Sequence, residues 1–143
     1  MARRSLERLA ELSAGPAVLA AAQRFPGLWL VGGAVRDLAL GAPVRDVDLA
    51  VEGEALPVAA ALGEVVEEHG RFGTAEVRTP DGGHVNLVRT RAEDYTRPGA
   101  LPDVRPAGID EDLARRDFTL NAIAVALSDG ARGEVRAVDH ALD

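Results

Sequence analysis

Neither cysteine nor lysine occurs in the 143 residues, and aromatic side chains make up only 3% of them. Without cysteine there is no disulfide, no thiolate metal site and no sulfur nucleophile. Without lysine there is no Schiff base and no phosphate loop ending in Gly-Lys-Ser/Thr. Three scattered histidines, His69, His84 and His140, are too few for a histidine-rich zinc cage. Positive charge is also scarce, since 16 basic residues, all arginine, face 23 acids and leave a net charge of −7. Surfaces that grip nucleic acid along many phosphates are normally basic, so any polynucleotide contact has to be local, through a few arginines. Long apolar runs are missing as well. Nothing reaches the roughly 18 apolar residues of a membrane span, and "MARRSLERLAEL" holds no apolar core of signal length. A soluble, cytoplasmic protein with no membrane partner is expected.

What is present suits one globular domain. Hydrophobic residues form 47% of the chain, and a domain of this length can bury about 68–70% of its unfolded surface. Leucine and alanine recur at helical spacing over residues 5–24, interrupted by Gly15-Pro16, which predicts two short helices. "LWLVG" at 28–32 reads as a buried strand, and "GAVRDLALG" as a helix stopping at Gly41. "RDVDLAV" alternates Val47, Leu49 and Val51 against Asp46, Asp48 and Ala50, the pattern of a half-buried strand. Residues 55–68 predict an alanine-rich helix, with Glu64, Glu67 and Glu68 as its solvated face. "GTAEVRTP", "DGG" and "HVNLVRTR" predict a hairpin. Residues 94–108, with three prolines and two glycines, read as a structureless loop. A helix is predicted over 109–127, with Leu113, Leu120, Ile123, Ala124 and Leu127 on one face. "GEVRAVD" predicts a last strand.

Three constellations carry chemistry. In "VGGAVRD", Gly32 and Gly33 lie between a strand and a helix, where backbone can approach a ligand closely and a helix N-terminus offers N–H groups to phosphate. The spacing is not the dinucleotide fingerprint, and a plain tight turn is the alternative. Arg36, a turn later, could grip a phosphate with both prongs of its guanidinium. Asp46 and Asp48, two apart on a strand, leave from the same face. Such a pair suits magnesium that keeps several waters and takes its other ligands from substrate phosphates. The alternative is that both point into water, with Arg45 pairing along the edge. Within the expected helix, Asp117 and Asn121 share a face, with Arg116 on the other flank. Asp117 could accept from a ribose hydroxyl, and Arg116 could reach a triphosphate. The plainer reading is an exposed helix stabilised by Glu111–Arg115 and Asp112–Arg116 pairs. His69 and His84 read as loop or strand-end residues, and Trp29 as core.

Together, "LVGGAVRDLALGAPVRDVDLAV" and "DEDLARRDFTLNAIAV" resemble the head domain of the tRNA CCA-adding enzymes and bacterial poly(A) polymerases, class II of the polymerase-beta-like nucleotidyltransferases. The resemblance frames residues 28–127 and includes "HGRFGTAEV" and "RPGALPDV". It implies that Gly32, Gly33 and Arg36 hold an incoming ATP or CTP. It also implies that Asp46 and Asp48 bind Mg²⁺ as the catalytic pair, and that Arg116, Asp117 and Asn121 contact ribose and phosphates. The implied reaction is in-line attack of a 3′-hydroxyl, that of a tRNA-like RNA end, on the α-phosphorus, releasing pyrophosphate. One departure is Asn86, since relatives often carry an acid in that strand and asparagine is a poor base. Another is the lack of the neck, body and tail domains, which leaves residues 1–143 as a single head domain. The reading is therefore a minimal nucleotidyltransferase with weak base selectivity, the alternative being a nucleotide-binding module or half enzyme that needs a helical partner. The expected architecture is α/β, a mixed twisted sheet with helices mainly on one face and Asp46, Asp48 and Asn86 in a cleft on the other.

Overall fold

Gly15 and Pro16 divide the N-terminal segment as expected in a computed structural model of the chain, which describes residues 2–69, 73–94, 97–101, 103–115 and 123–137. Helix α1 spans Ala2–Leu9 and α2 spans Gly15–Arg24. Pro16 sits in the first turn of α2, where its missing N–H removes no helical bond. Strand β1 (Leu28–Val31) is buried at every position, as an unbroken apolar run requires. Helix α3 (Gly33–Leu40) ends where Gly41 turns left-handed, with φ of 75°. Strand β2 is Asp46–Val51.

Three expectations are corrected next. The helix begun at Ala55 is α4 (Ala55–Leu62) and stops at Gly63; Glu64–His69 form strand β3. Gly63 has φ of 158°, and a Cβ there would lie 2.2 Å from the Arg78 carbonyl oxygen. Only glycine fits, so the chain must leave the helix and enter the sheet. Glu64, Glu67 and Glu68 are exposed, but on an edge strand rather than a helix. After β4 (Thr74–Arg78) and β5 (His84–Arg89) form the hairpin, the expected loop begins and ends as a two-stranded ribbon of β6 (Arg91–Asp94) and β7 (Asp103–Pro106). Helix α5 covers only Ile109–Ala114, and Ile123–Ala126 is strand β8, buried at every position. A short apolar run rich in β-branched residues suits a buried strand as well as a helix, and here its place in the sheet decides. Strand β9 (Val135–Ala137) follows.

The seven-stranded sheet runs β3-β4-β5-β2-β1-β8-β9. Every pairing is antiparallel except β2 with β5. Helices α1 to α4 cover one face, where Val18, Val35 and Leu62 pack on Leu30, Leu49 and Leu87. On the other face Ile109 and Leu113 of α5 pack on Trp29, Ala50 and Ala124. The mixed sheet with helices mainly on one face is therefore as expected. Two buried hydroxyls join distant segments. Ser5 Oγ donates to the Val35 carbonyl at 2.6 Å, fixing α1 on α3. Ser128 Oγ accepts from Leu28 N at 2.9 Å and donates to the Phe25 carbonyl at 2.8 Å. Among the described residues no helix is long and apolar enough to cross a membrane.

Candidate active site

Alternation along β2 sends Val47 and Leu49 into the helix-covered core, so Asp46 and Asp48 project from the opposite face. The parallel ladder to β5 sets His84 beside Asp46 and Asn86 beside Asp48. The antiparallel ladder beyond it sets Glu76 beside Asn86 and Arg78 beside His84. Asn86 Nδ2 donates to Asp48 Oδ1 at 3.3 Å, which fixes one carboxylate oxygen. Arg45, Asp46, Val66, Glu76, His84 and Asn86 line an open cleft of about 610 Å³. Asp46 is exposed and Asp48 half-buried. Among the described residues no three His, Cys, Asp or Glu side chains form a self-sufficient metal cage. Two same-face carboxylates suit a hard cation that completes its shell with water and substrate oxygens.

The glycine turn lies at the same end of the sheet. β1 runs antiparallel to β2, so its C-terminal end, Val31-Gly32, meets the start of β2. Gly32 caps α3 with φ of 76° and ψ of −155°, a conformation open essentially to glycine alone. Its N–H donates to the Ile123 carbonyl at 3.1 Å. No side chain caps α3, and a Cβ on Gly33 would meet nothing nearer than Arg36 Nη2 at 4.0 Å. The backbone at the helix start is thus open to a ligand. Arg36 rests on Asp37, with Nε and Nη2 at 3.2 and 3.1 Å from one carboxylate oxygen. Both side chains are partly exposed, so exchanging that contact for a phosphate costs little.

Arg116, Asp117 and Asn121 lie outside the described residues. What leads to them is described, and it differs from the expected exposed helix. Asp112 is fully buried rather than solvated. Its Oδ2 accepts from Arg91 N at 2.9 Å and from Arg115 Nη2 at 3.3 Å. Arg115 also donates to the Arg91 carbonyl at 3.2 Å and approaches Glu93 at 3.6 Å. Glu111 pairs with Arg105 across to β7 instead of with Arg115. Glu52 accepts from Trp29 Nε1 at 2.8 Å and from Ile109 N at 3.0 Å, so it anchors the start of α5 to the sheet. Sequence reasoning missed this network and Glu76, and it read His84 as a strand-end residue, which it is, at the start of β5, without placing it beside Asp46. The alternation of His84 with Val85, and of Glu76 with Ala75 and Val77, was the available signal that both share the face of Asp46.

Residues 28–138 match the family model described as the poly(A) polymerase head domain. An A-adding tRNA nucleotidyltransferase of Halalkalibacterium halodurans is 44% identical over 119 residues, covering 80% of this chain and 28% of the relative. A CC-adding tRNA nucleotidyltransferase of Deinococcus radiodurans is 46% identical over 111 residues, 73% of this chain and 29% of the relative. Among solved structures, the Thermotoga maritima CCA-adding enzyme complexed with tRNA aligns with a TM-score of 0.75 at 25% identity, covering 99% of this chain and 33% of that one. The chain thus spans about three tenths of the length of these relatives.

Proposed function

The chain belongs to the poly(A) polymerase head domain family, and from that premise we propose that it transfers a nucleoside monophosphate from ATP or CTP to an RNA 3′-hydroxyl, releasing pyrophosphate. The observation that carries this reading is the single sheet end shared by the Gly32-Gly33 turn, Arg36 and the Asp46–Asp48 face. The N-terminus of α3 and Arg36 bind the triphosphate through backbone N–H groups and a guanidinium. Asp46 and Asp48 hold Mg²⁺, an assignment supported by their all-oxygen, same-face arrangement beside an open cleft. When bound, the cation offsets charge on the phosphates and assists attack and departure. Asn86 holds the Asp48 carboxylate in place for that task. Arg116, Asp117 and Asn121 complete the nucleotide site. Base selectivity is weak, a reading supported by near-equal identity to relatives named A-adding and CC-adding.

A second reading follows from Asn86. With an amide where a third carboxylate would serve as proton acceptor, the domain holds nucleotide but turns over only with a helical partner. One assay separates the two. The purified chain is incubated with Mg²⁺, each labelled NTP, and tRNAs lacking one, two or three terminal nucleotides. We expect Mg²⁺-dependent label at the RNA end, falling at least about a hundredfold in the Asp46→Asn/Asp48→Asn protein, as loss of several kcal/mol of charge stabilisation requires. Equal transfer by that variant would remove the metal assignment. Transfer only after adding a helical partner would favour the second reading.

A further inference from the structure

Among the described residues, Arg45 and Arg78 are cationic side chains at this end of the sheet that the proposed nucleotide site leaves unused. Arg36, beside the glycine turn, is neutralised by Asp37, while at the opposite end of the sheet Arg89 pairs with Glu54, Arg91 with Glu93, and Arg115 with Asp112 and Glu93. Arg45 and Arg78 are exposed and join none of the ion pairs formed among the described residues. Arg45 lines the cleft next to Asp46. Arg78 stands beside His84 on β4, and His84 stands beside Asp46. Acids do face this corner: Asp46 and Glu76 border it, and Glu64 is opposite Arg78 on β3. None of them is within ion-pair distance of either guanidinium.

Position within the sheet gives the corner its meaning. β2 lies between β1 and β5. The glycine turn and Arg36, the proposed triphosphate grip, are on the β1 side of the aspartates. His84 and Arg78 are on the β5–β4 side, and Arg45, preceding β2, lines the cleft shared with His84 and Glu76. In an in-line displacement the attacking and leaving oxygens sit on opposite sides of phosphorus. A pyrophosphate leaving toward α3 therefore requires an acceptor arriving from the β5–β4 side. That acceptor ends in a phosphodiester backbone, and the whole chain carries a net charge of −7. It needs local cations to come close.

We propose that Arg45 and Arg78 form the acceptor-strand subsite, binding the backbone phosphates next to the 3′-terminal nucleoside of a single-stranded RNA end without reading its bases. The exposed ring of His84, between them, supplies a hydrogen bond to the terminal sugar or phosphate. This rests on the nucleotidyl-transfer reading and adds to it the place of the second substrate.

The test measures binding apart from turnover. Fluorescence anisotropy of a labelled 12-nucleotide single-stranded RNA with a free 3′-hydroxyl is followed over a salt series for wild type, R45Q, R78Q and the double variant. Arg3→Gln on α1 serves as a remote control, and a fluorescent ATP analogue with Mg²⁺ is titrated in parallel. Each site substitution should weaken RNA binding severalfold. Each should also flatten the slope of log affinity against log salt by about 0.7, the value for one single-strand phosphate contact. R3Q should change neither, and affinity for the ATP analogue should hold within twofold. RNA affinity and slope unchanged in the double variant would overturn the proposal. So would loss of ATP-analogue binding, which would assign the arginines to the triphosphate instead. If RNA binding responds as expected but no protein transfers label, the corner stands and the transfer reading falls.

Discussion

Asn86 and Asp48 face each other across the parallel β2–β5 ladder, separated by 38 residues of sequence and joined by one hydrogen bond. The aspartate pair could be read from alternation within six residues of chain. The amide contact could not, because it depends on register between strands that sequence spacing does not fix. That contact makes Asn86→Asp informative. Without divalent cation, like charges directly opposite should cost stability of about 0.2–1 kcal/mol. With Mg²⁺ or Mn²⁺ the added carboxylate should raise cation affinity and reverse the loss. Thermal denaturation with and without metal checks both signs; a variant less stable than wild type in both conditions would contradict the arrangement. Asp112 was legible only as a helix charge, since burial depends on what folds over it. Its replacement by alanine takes the acceptor from the Arg91 N–H, while Arg115 keeps Glu93 and the Arg91 carbonyl. Leaving that buried donor unsatisfied costs about 1–3 kcal/mol, which urea denaturation would register.

At the scale of elements, α1 to α3, β1, β2 and the β4–β5 hairpin follow from local signals that act within a few residues: Gly15-Pro16, Gly41, and alternation. The two misread helices share one cause. Residues 55–68 and 109–127 carry apolar patterns that fit a helix in isolation, and each is cut by tertiary pairing. Glu64–His69 pair with β4, and Ile123–Ala126 pair with β1 and β9. Gly63 is the pivot of the first case. Gly63→Ala forces a side chain against the Arg78 carbonyl in a backbone conformation that alanine disfavours. We expect a loss of more than about 1 kcal/mol in chemical denaturation, with amide exchange accelerating first in β3 and β4. A stability within a few tenths of wild type would mean that the edge strand adjusts freely. Ser5→Ala should cost about 1 kcal/mol through its buried bond to Val35.

For the whole molecule, the sheet separates tasks by face. One side is closed by four helices and supplies most of the buried core; the other leaves a cleft over β2, β5 and β4. A ligand bridging α3 and β2 engages only the folded chain, so it should stabilise by mass action, by about 2.7 kcal/mol at a hundred times its dissociation constant. Raised melting temperature with ATP and Mg²⁺ together, absent in Asp46→Asn/Asp48→Asn, is the expected result. The composition foretold the shortage of cations. It said nothing of how the few free arginines are distributed, which is a property of the assembled sheet.

Strand β8 enters that sheet next to its β9 edge, from far along the chain. It fills the position between β1 and β9, and Ser128 reaches back 100 residues to bind Leu28. During synthesis, then, β1 and the glycine turn leave the ribosome long before their second neighbour, β8, exists. Until residues 123–128 have emerged, one flank of β1 offers unpaired backbone to any passing strand. The nascent domain is thus exposed to mispairing through most of its translation, and the flank of β1 beside the glycine turn closes only when residues 123–126 arrive.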